Sequence, residues 1–284
     1  MQVKDQLKGR DFLTLMDFSI EELTYILNLA QNFKKNKNPM DNPIKDLPLR
    51  TIAMIFEKQS TRTRFSFQVA AAQLGMQSFF ATPDSMQLSR GEPIKDTARV
   101  LDRYCDGLVL RTFSQKTLEQ YALNMKNPVI NALSDLTHPC QGLADLLTIK
   151  EHTGRLHDLN LTYVGDPWNV CHSLMIACSL FGINISIAVP KGWSPDETII
   201  DFSKKSAQKQ ESSLQITSNL KDALKEADIV YTNTFHSMGH KDIEERKKAF
   251  KLYQINKKTL SYAKEAAIFM HCLPGYRGEE MTDE

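Results

Sequence analysis

The feature that most constrains the fold is a rhythm that runs through the chain twice. Short apolar runs alternate with stretches of helical spacing. In the first half the runs are TIAMIF (51–56), SFFAT (78–82), DGLVLRT (106–112) and PVINAL (128–133). Helical patterns lie between them near 62–75, 93–104 and 115–124. The second half restarts with LNLTYVGD (159–166), a helix over 170–181 ended by Gly182, and INISIAVP (183–190). Residues 195–211 then read as helical, and LQIT (214–217), ADIVYTN (227–233) and AAIFMHCL (266–273) as further strands with helices between. Strands alternating with helices make βαβ units and a mostly parallel sheet. The reading is therefore α/β, with two domains, each a mostly parallel sheet flanked by helices.

An amphipathic helix over 20–34 precedes the first strand, with Ile20, Leu23, Ile26, Leu27, Ala30 and Phe33 at helical spacing. Ser19 and Glu22 form a capping-box pattern at its start. The polar segment 34–50 is broken by prolines and reads as a loop. A helix near 141–152, with Leu143, Leu146, Leu147 and Ile149 on its apolar side, joins the halves, and the boundary falls near Gly154.

The 284 residues suit two domains, each large enough to bury a core without disulfides or metals. A net charge of +1 gives no reason to expect nucleic acid or a membrane as partner, so any anion site must be local. The five cysteines form no C-x-x-C pair and fit a reducing compartment. The start MQVKDQLKGRDF lacks the apolar stretch of a secretory signal, and no apolar run reaches the roughly 20 residues of a membrane span. The expected setting is cytoplasmic.

Ligands of open parallel sheets bind beyond the carboxyl ends of the strands. The residues at those ends are Glu57 to Arg64, Arg111-Thr112, His138-Pro139-Cys140-Gln141, Gly165 to Asn169, Asn233 with Ser237-Met238-Gly239, and Cys272-Leu273. Two domains so built would face a common cleft. Ser60 can cap a helix starting at about Thr61, whose free N–H groups and dipole attract an anion. Hydroxyls of Ser60, Thr61 and Thr63 add donors, and Arg62 adds a fork for two phosphate oxygens. The same residues also fit a plain capped helix with solvated arginines. Arg111 and His138 follow strands and could reach the same anion. Arg neutralises phosphate, while neutral His and Gln141 can hydrogen-bond a carbonyl, a mix that suits a ligand carrying both groups. Cys140 and Cys272 equally fit small buried hydrophobes.

These residues also carry a family resemblance. Ser60-Thr61-Arg62-Thr63-Arg64 resembles the carbamoyl-phosphate motif of the transcarbamoylases. His138-Pro139-Cys140-Gln141 and Phe56-Glu57-Lys58 resemble the ornithine-type spelling, since the aspartate enzymes usually have threonine for the cysteine and Glu-Pro before the serine. Ser237-Met238-Gly239 is similar to the ornithine-binding loop and His271-Cys272-Leu273-Pro274 to the catalytic-cysteine motif. Gln87 to Glu92, followed by Asp96 to Arg99, resembles the loop that neighbouring subunits exchange. The likeness runs from about residue 8 to the end.

The resemblance implies a domain over 1–150 that binds carbamoyl phosphate and one over 151–284 that binds the amino acid. It implies transfer of the carbamoyl group to the side-chain amine of L-ornithine, giving L-citrulline and phosphate, in arginine metabolism. Ser60, Thr61, Arg62, Thr63 and Arg111 would hold the phosphate. His138, Gln141 and Thr63 would polarise the carbamoyl oxygen, with Pro139, Cys140 and the main chain of Cys272 and Leu273 lining that site. Gln87 would reach the adjacent subunit of a homotrimer. Asn169, Asn233, Ser237 and Met238 would line the ornithine pocket, with Cys272 near the attacking amine. Arg111, His138, Gln141 and Cys272 would be the catalytic set, with no metal or organic cofactor.

Several departures from the family pattern bear on that expectation. Asn233 stands where the family usually has an aspartate that pairs the substrate ammonium, and losing one charge-assisted contact costs roughly 1.5–3 kcal/mol. Pro167 and Trp168 precede Asn169 where small or amide residues are usual. Gln68 replaces a usual glutamate. Family members continue past the position matching Glu284 with a helix that packs on the first domain and an arginine that reaches the ligand. The alternatives are therefore a carbamoyltransferase with another amine acceptor, or a carbamoyl-phosphate-binding paralogue with weak or no turnover.

Overall fold

Runs rich in Ile, Leu, Val, Phe and Met without polar alternation suit strands covered on both faces, as parallel strands are. The computed structural model, which describes residues 2–35, 50–236 and 242–284, places such strands at the centre of two sheets. By density of contacts the chain divides into two units, Met1–Cys140 and Gln141–Glu284.

In the first unit the strands are β1 (Thr51–Phe56), β2 (Gln77–Ala81), β3 (Gly107–Arg111) and β4 (Val129–Leu133). They form one sheet in the order β2-β1-β3-β4, every pair parallel. Its helices are α1 (Val3–Leu7), α2 (Ile20–Lys35), α3 (Arg62–Gln73), α4 (Ile94–Tyr104) and α5 (Gln115–Asn124). The capping box at α2 is present: the Ser19 amide donates to Glu22 Oε2 (2.8 Å) and the Glu22 amide to Ser19 Oγ (3.2 Å). One core layer packs Leu108, Leu110, Ile55 and Val129 against Ala98, Leu118 and Tyr121 of α4 and α5. The other sets Met54, Phe56 and Val109 against Ala71 of α3. The loop read over 34–50 lies almost wholly outside the described residues.

Helix α6 (Pro139–Thr153) crosses the division between the units. In the second unit β5 (Asn160–Val164), β6 (Asn184–Ala188), β7 (Leu214–Thr217), β8 (Ile229–Thr232) and β9 (Ile268–His271) pair in the order β7-β6-β5-β8-β9, again all parallel. Its helices are α7 (Asn169–Phe181), α8 (Glu197–Lys209), α9 (Leu220–Leu224), α10 (Ile243–Phe250) and α11 (Lys257–Leu260). Helix α7 is buried from Asn169 to Leu180, which explains why its sequence shows no polar face.

Both strand orders reverse direction once, between β1 and β3 and between β5 and β8. Loops leaving neighbouring strands in opposite directions open a crevice at that point, and this is where such sheets bind ligands. Each domain therefore has one predetermined position for a site. No described helix is long and apolar enough to cross a membrane.

Candidate active site

At the β1/β3 crevice the loops are tied together by Glu57. Its amide donates to the Arg111 carbonyl (2.8 Å), and its Oε2 accepts from Thr112 Oγ1 (2.6 Å) and the Phe113 amide (3.0 Å). The chain then enters α3. Sequence reasoning gave Ser60 as the helix cap, and this is corrected: Thr61 is the N-cap, at helical φ −83° and ψ −60°, and makes no side-chain capping bond. The first turn of α3 is thus left without a side-chain acceptor for its N–H groups, which suits an anion from outside better than a self-capped end. Thr61 and Arg62 are exposed, and Ser60 and Thr63 half-buried. Arg64 turns away from this turn, stacking 3.6 Å over the Phe80 ring and donating to Gln68 Oε1 (3.3 Å).

Arg111 ends the buried strand β3 and is 8 % exposed, as is His138. His138 stands directly before Pro139, which opens α6 at the position where a missing N–H does no harm. The loop before it is locked. The Thr137 amide donates to Ser134 Oγ (3.1 Å), Ser134 Oγ donates to Gln115 Oε1 (2.6 Å), and the Asn131 amide group donates to the Leu13 carbonyl (2.8 Å). Burial, and then the Arg111 charge, push the His138 pKa down to about 3, so the ring is neutral at any working pH. Lys58, which sequence reasoning placed in the motif but gave no role in the site, is buried beside them. Burial and then Arg111 lower its pKa, and its ammonium lies 4.6 Å over the Phe113 ring. Cys140 is half-buried: desolvation pushes its thiol up to about 12, and Sγ donates to the Asn131 carbonyl (3.5 Å).

A hollow of about 860 Å³ adjoins this crevice, lined by Glu57, Lys58, Gln59, Ser60, Thr61 and Arg64 together with Phe113, Thr117 and Tyr121. Arg111, His138 and Gln87 are not in its lining. Gln87 lies exposed in a 3-10 turn, Gln87–Arg90.

The β5/β8 crevice holds a different chemistry. Gly165 has φ +125°, and a Cβ there would lie 3.1 Å from the Phe235 ring, so only glycine fits the turn out of β5. Asp166 follows, nearly fully buried, and takes Arg246 Nη1 of α10 at 2.5 Å. The Asp166 carbonyl accepts from Tyr163 Oη (2.7 Å) and the Trp168 amide (2.8 Å). This pins the turn that presents Asn169 as the first residue of α7, buried, with Trp168 half-buried before it.

Across the crevice Asn233 is buried, and its Oδ1 accepts from the Cys272 thiol (3.2 Å). The Leu273 amide donates to His271 Nδ1 (2.8 Å). With Nδ1 accepting, the ring proton sits on Nε2, 3.2 Å from Oε1 of the fully buried Glu280. Gln141 does not turn to His138 in any bond described: its Nε2 donates to Asp145 Oδ1 (2.9 Å). Ser237 and Met238 lie outside the described residues. Among those described, no cluster of His, Cys, Asp or Glu is arranged to hold a metal ion.

An uncapped helix start, a buried arginine and a neutral histidine thus lie in the first domain, and an amide–thiol pair in the second. The model of the aspartate/ornithine carbamoyltransferase carbamoyl-P binding domain matches residues 10–151, and that of the Asp/Orn binding domain matches 157–284. The chain belongs to the aspartate/ornithine carbamoyltransferase family. Among its relatives, the ornithine carbamoyltransferase of Thermococcus kodakarensis is 47% identical over 279 residues, 98% of this chain and 88% of that protein. The solved ornithine carbamoyltransferase of Pyrococcus furiosus superposes with a TM-score of 0.92 at 45% identity, covering 98% of this chain and 88% of that one. The anabolic ornithine carbamoyltransferase of Campylobacter jejuni gives 0.90 at 41%, covering 96% and 89%. The two-domain, parallel-sheet α/β fold read from the sequence is that of these carbamoyltransferases.

Proposed function

We propose that this carbamoyltransferase moves the carbamoyl group of carbamoyl phosphate to the side-chain amine of L-ornithine, forming L-citrulline and phosphate in arginine biosynthesis. The observation that carries the reading is the pairing of buried Arg111 with a neutral His138 at strand ends beside an uncapped helix start. Arg111, with Ser60 to Thr63, supplies charge and N–H groups for phosphate. Neutral His138 supplies a hydrogen bond to the carbamoyl oxygen from its one ring N–H.

The neutral amine forms the new C–N bond, charge grows on the carbamoyl oxygen, the C–O bond to phosphate breaks, and the surplus amine proton goes to the departing phosphate. Donors already in place stabilise that charge without reorganising. Cys272 and Asn233 take the amino-acid side, with Asn169 and, from the sequence alone, Ser237 and Met238. The relatives named as ornithine carbamoyltransferases support this choice of amine, and the neutral Asn233 supports a second reading with a less basic acceptor.

A homotrimer in the cytoplasm is part of the proposal. Helix α3 buries only Ala71 while Phe65 is 61% exposed; on β2, an edge strand, Phe79 is 61% exposed, and on α4 Tyr104 is 75% exposed. Apolar side chains left bare on a helix and an edge strand of one domain suit cover by another copy. The purified protein is expected to form citrulline saturably from carbamoyl phosphate and ornithine, with Asn233→Asp assayed beside it. No citrulline, with carbamoyl phosphate still raising the melting temperature, would leave a binding protein and end this reading.

A further inference from the structure

Two side chains that no motif points to connect the groups proposed to act on the two substrates. Asp145, one turn after Gln141 on α6, is 4 % exposed. Its Oδ1 accepts from Gln141 Nε2 (2.9 Å) and from Tyr231 Oη (3.3 Å). Among the described residues Oδ2 has no hydrogen-bond partner. Tyr231, on β8, is fully buried, stacks on Tyr163 of β5 with ring centroids 6.0 Å apart, and has Cys272 as a neighbour. Cys272 donates to Asn233 Oδ1 (3.2 Å). The result is a hydrogen-bonded string, Gln141–Asp145–Tyr231, that ends beside the Cys272–Asn233 pair.

A buried carboxylate held only by a neutral amide and a phenol is expensive, because both partners are weaker than a cation and the charge is fully desolvated. A leucine or methionine here would serve the core better. We propose that Asp145 and Tyr231 are positioning residues of the transfer site, a buried hydrogen-bonded string that sets the Gln141 amide at one end and packs against the Cys272 thiol at the other. The inference rests on the role that the family resemblance gives Gln141 and on the function proposed above for Cys272.

The chemistry of the string explains why these residue types occur. An ionised carboxylate only accepts, so it fixes Gln141 with its NH₂ group toward Asp145 and draws the Tyr231 proton the same way. The Tyr231 oxygen is then left beside Cys272, whose own proton goes to Asn233. Each bond orients the next, so a change at Asp145 is felt at both Gln141 and Tyr231.

Burial pushes the Asp145 pKa up to about 7, against the lowering effects of Gln141 and Tyr231. The titratable groups facing it are Tyr231 on β8 and Cys178 on α7, with Tyr163 on β5 and Cys272 after β9 beyond Tyr231. Burial raises Tyr231, Tyr163 and Cys178 well above neutrality, whereas Asp145 changes charge near it.

The test compares full-length wild type with Asp145→Asn and Tyr231→Phe. Citrulline initial rates are measured from pH 5.5 to 9, and carbamoyl phosphate binding by calorimetry. Tyr231→Phe is expected to lower kcat about tenfold or more while KM for carbamoyl phosphate stays within about twofold. Asp145→Asn is expected to remove a wild-type inflection of kcat near pH 7. A second readout does not need turnover: the rate of Cys272 alkylation by iodoacetamide, followed by peptide mass spectrometry. Loss of the negative charge in Asp145→Asn should raise that rate at pH 8 at least threefold. If both variants keep the wild-type pH profile and the same Cys272 reactivity, and differ only in melting temperature, the string is structural and the inference falls. If wild type forms no citrulline, the functional reading fails separately, and the alkylation rates still decide the string.

Discussion

Replacing Arg246 by methionine should destabilise the second domain by about 5 kcal/mol. The guanidinium is buried at the β5/β8 crevice, with Nη1 on Asp166 (2.5 Å), Nε on Asp242 (2.9 Å) and its plane 4.6 Å over the Trp193 ring. Methionine keeps much of the stem packing and removes only the charge. Breaking a buried pair from one side costs about 3–5 kcal/mol, because the remaining charge stays desolvated. Loss of the cation–π contact adds about 1 kcal/mol. The Asp242 pair is partly exposed and is worth a few tenths, roughly the value of an exposed i,i+4 pair. At roughly 2–4 °C per kcal/mol the melting temperature falls by about 10 °C or more. Urea titration followed by circular dichroism gives the free energy directly. The double variant Arg246→Met/Asp166→Asn should recover most of the loss, since no charge is then left buried alone. Ornithine KM should rise in the single variant, because Asp166 anchors the turn that presents Asn169. A cost below about 1 kcal/mol, or a double variant no better than the single one, would refute the reasoning.

Acid stability should follow His138. Its folded pKa, about 3, lies below the unfolded value near 6.5, so its contribution is fully present above 6.5 and is lost as pH falls toward 3. That window is worth up to about 5 kcal/mol, and His138→Gln should lower the acid midpoint seen by tryptophan fluorescence. Asp145 has the opposite sign. Its raised pKa means the folded state holds the proton more tightly, so stability falls as pH rises from about 4 to 7, by up to about 4 kcal/mol. Asp145→Asn should therefore melt higher than wild type at pH 8, and an unchanged or lower melting temperature would contradict this. Glu280→Ala removes the partner of His271 Nε2 and of the Tyr276 amide (2.6 Å), and should cost about 2–3 kcal/mol by denaturant titration. Arg111→Lys should weaken carbamoyl phosphate binding at least tenfold by calorimetry, since a point charge cannot replace a fork on two oxygens.

The architecture was legible because buried parallel strands have no polar face to confuse the period. All nine strands of the described residues appear within two residues of the apolar runs, and α2, α5 and α7 begin and end within about one residue of their patterns. What the sequence hid depends on tertiary neighbours. Ser60 looked like a cap because serine before a helix usually is one, but α3 begins one residue later than expected, at Arg62, with Thr61 as its N-cap. Asp145 falls in the pattern QGLADLLTIK, where a single acid between Leu143 and Leu146 looks like the solvated side of an amphipathic helix. Only the approach of Tyr231, 86 residues away, shows that it is inside. Lys58 was hidden by its neighbours, since a lysine in a polar loop is normally exposed.

These hidden residues share a place. Lys58 and Arg111 lie at the β1/β3 crevice with His138 beside them; Asp166, with Arg246, lies at the β5/β8 crevice, and Asp145 joins that domain's string through Tyr231. Desolvating an ionisable group is unfavourable wherever it happens, so a sheet shaped for stability alone would spread such groups to its surface. Concentrating them where strand order reverses costs stability at the one point where topology already opens a hollow. That cost is useful only if a ligand brings the compensating charge and hydrogen bonds. Saturating carbamoyl phosphate should therefore raise the melting temperature of wild type by more than that of Arg111→Ala. If the two shifts were equal, the buried charge at β3 would have to be assigned to the fold alone.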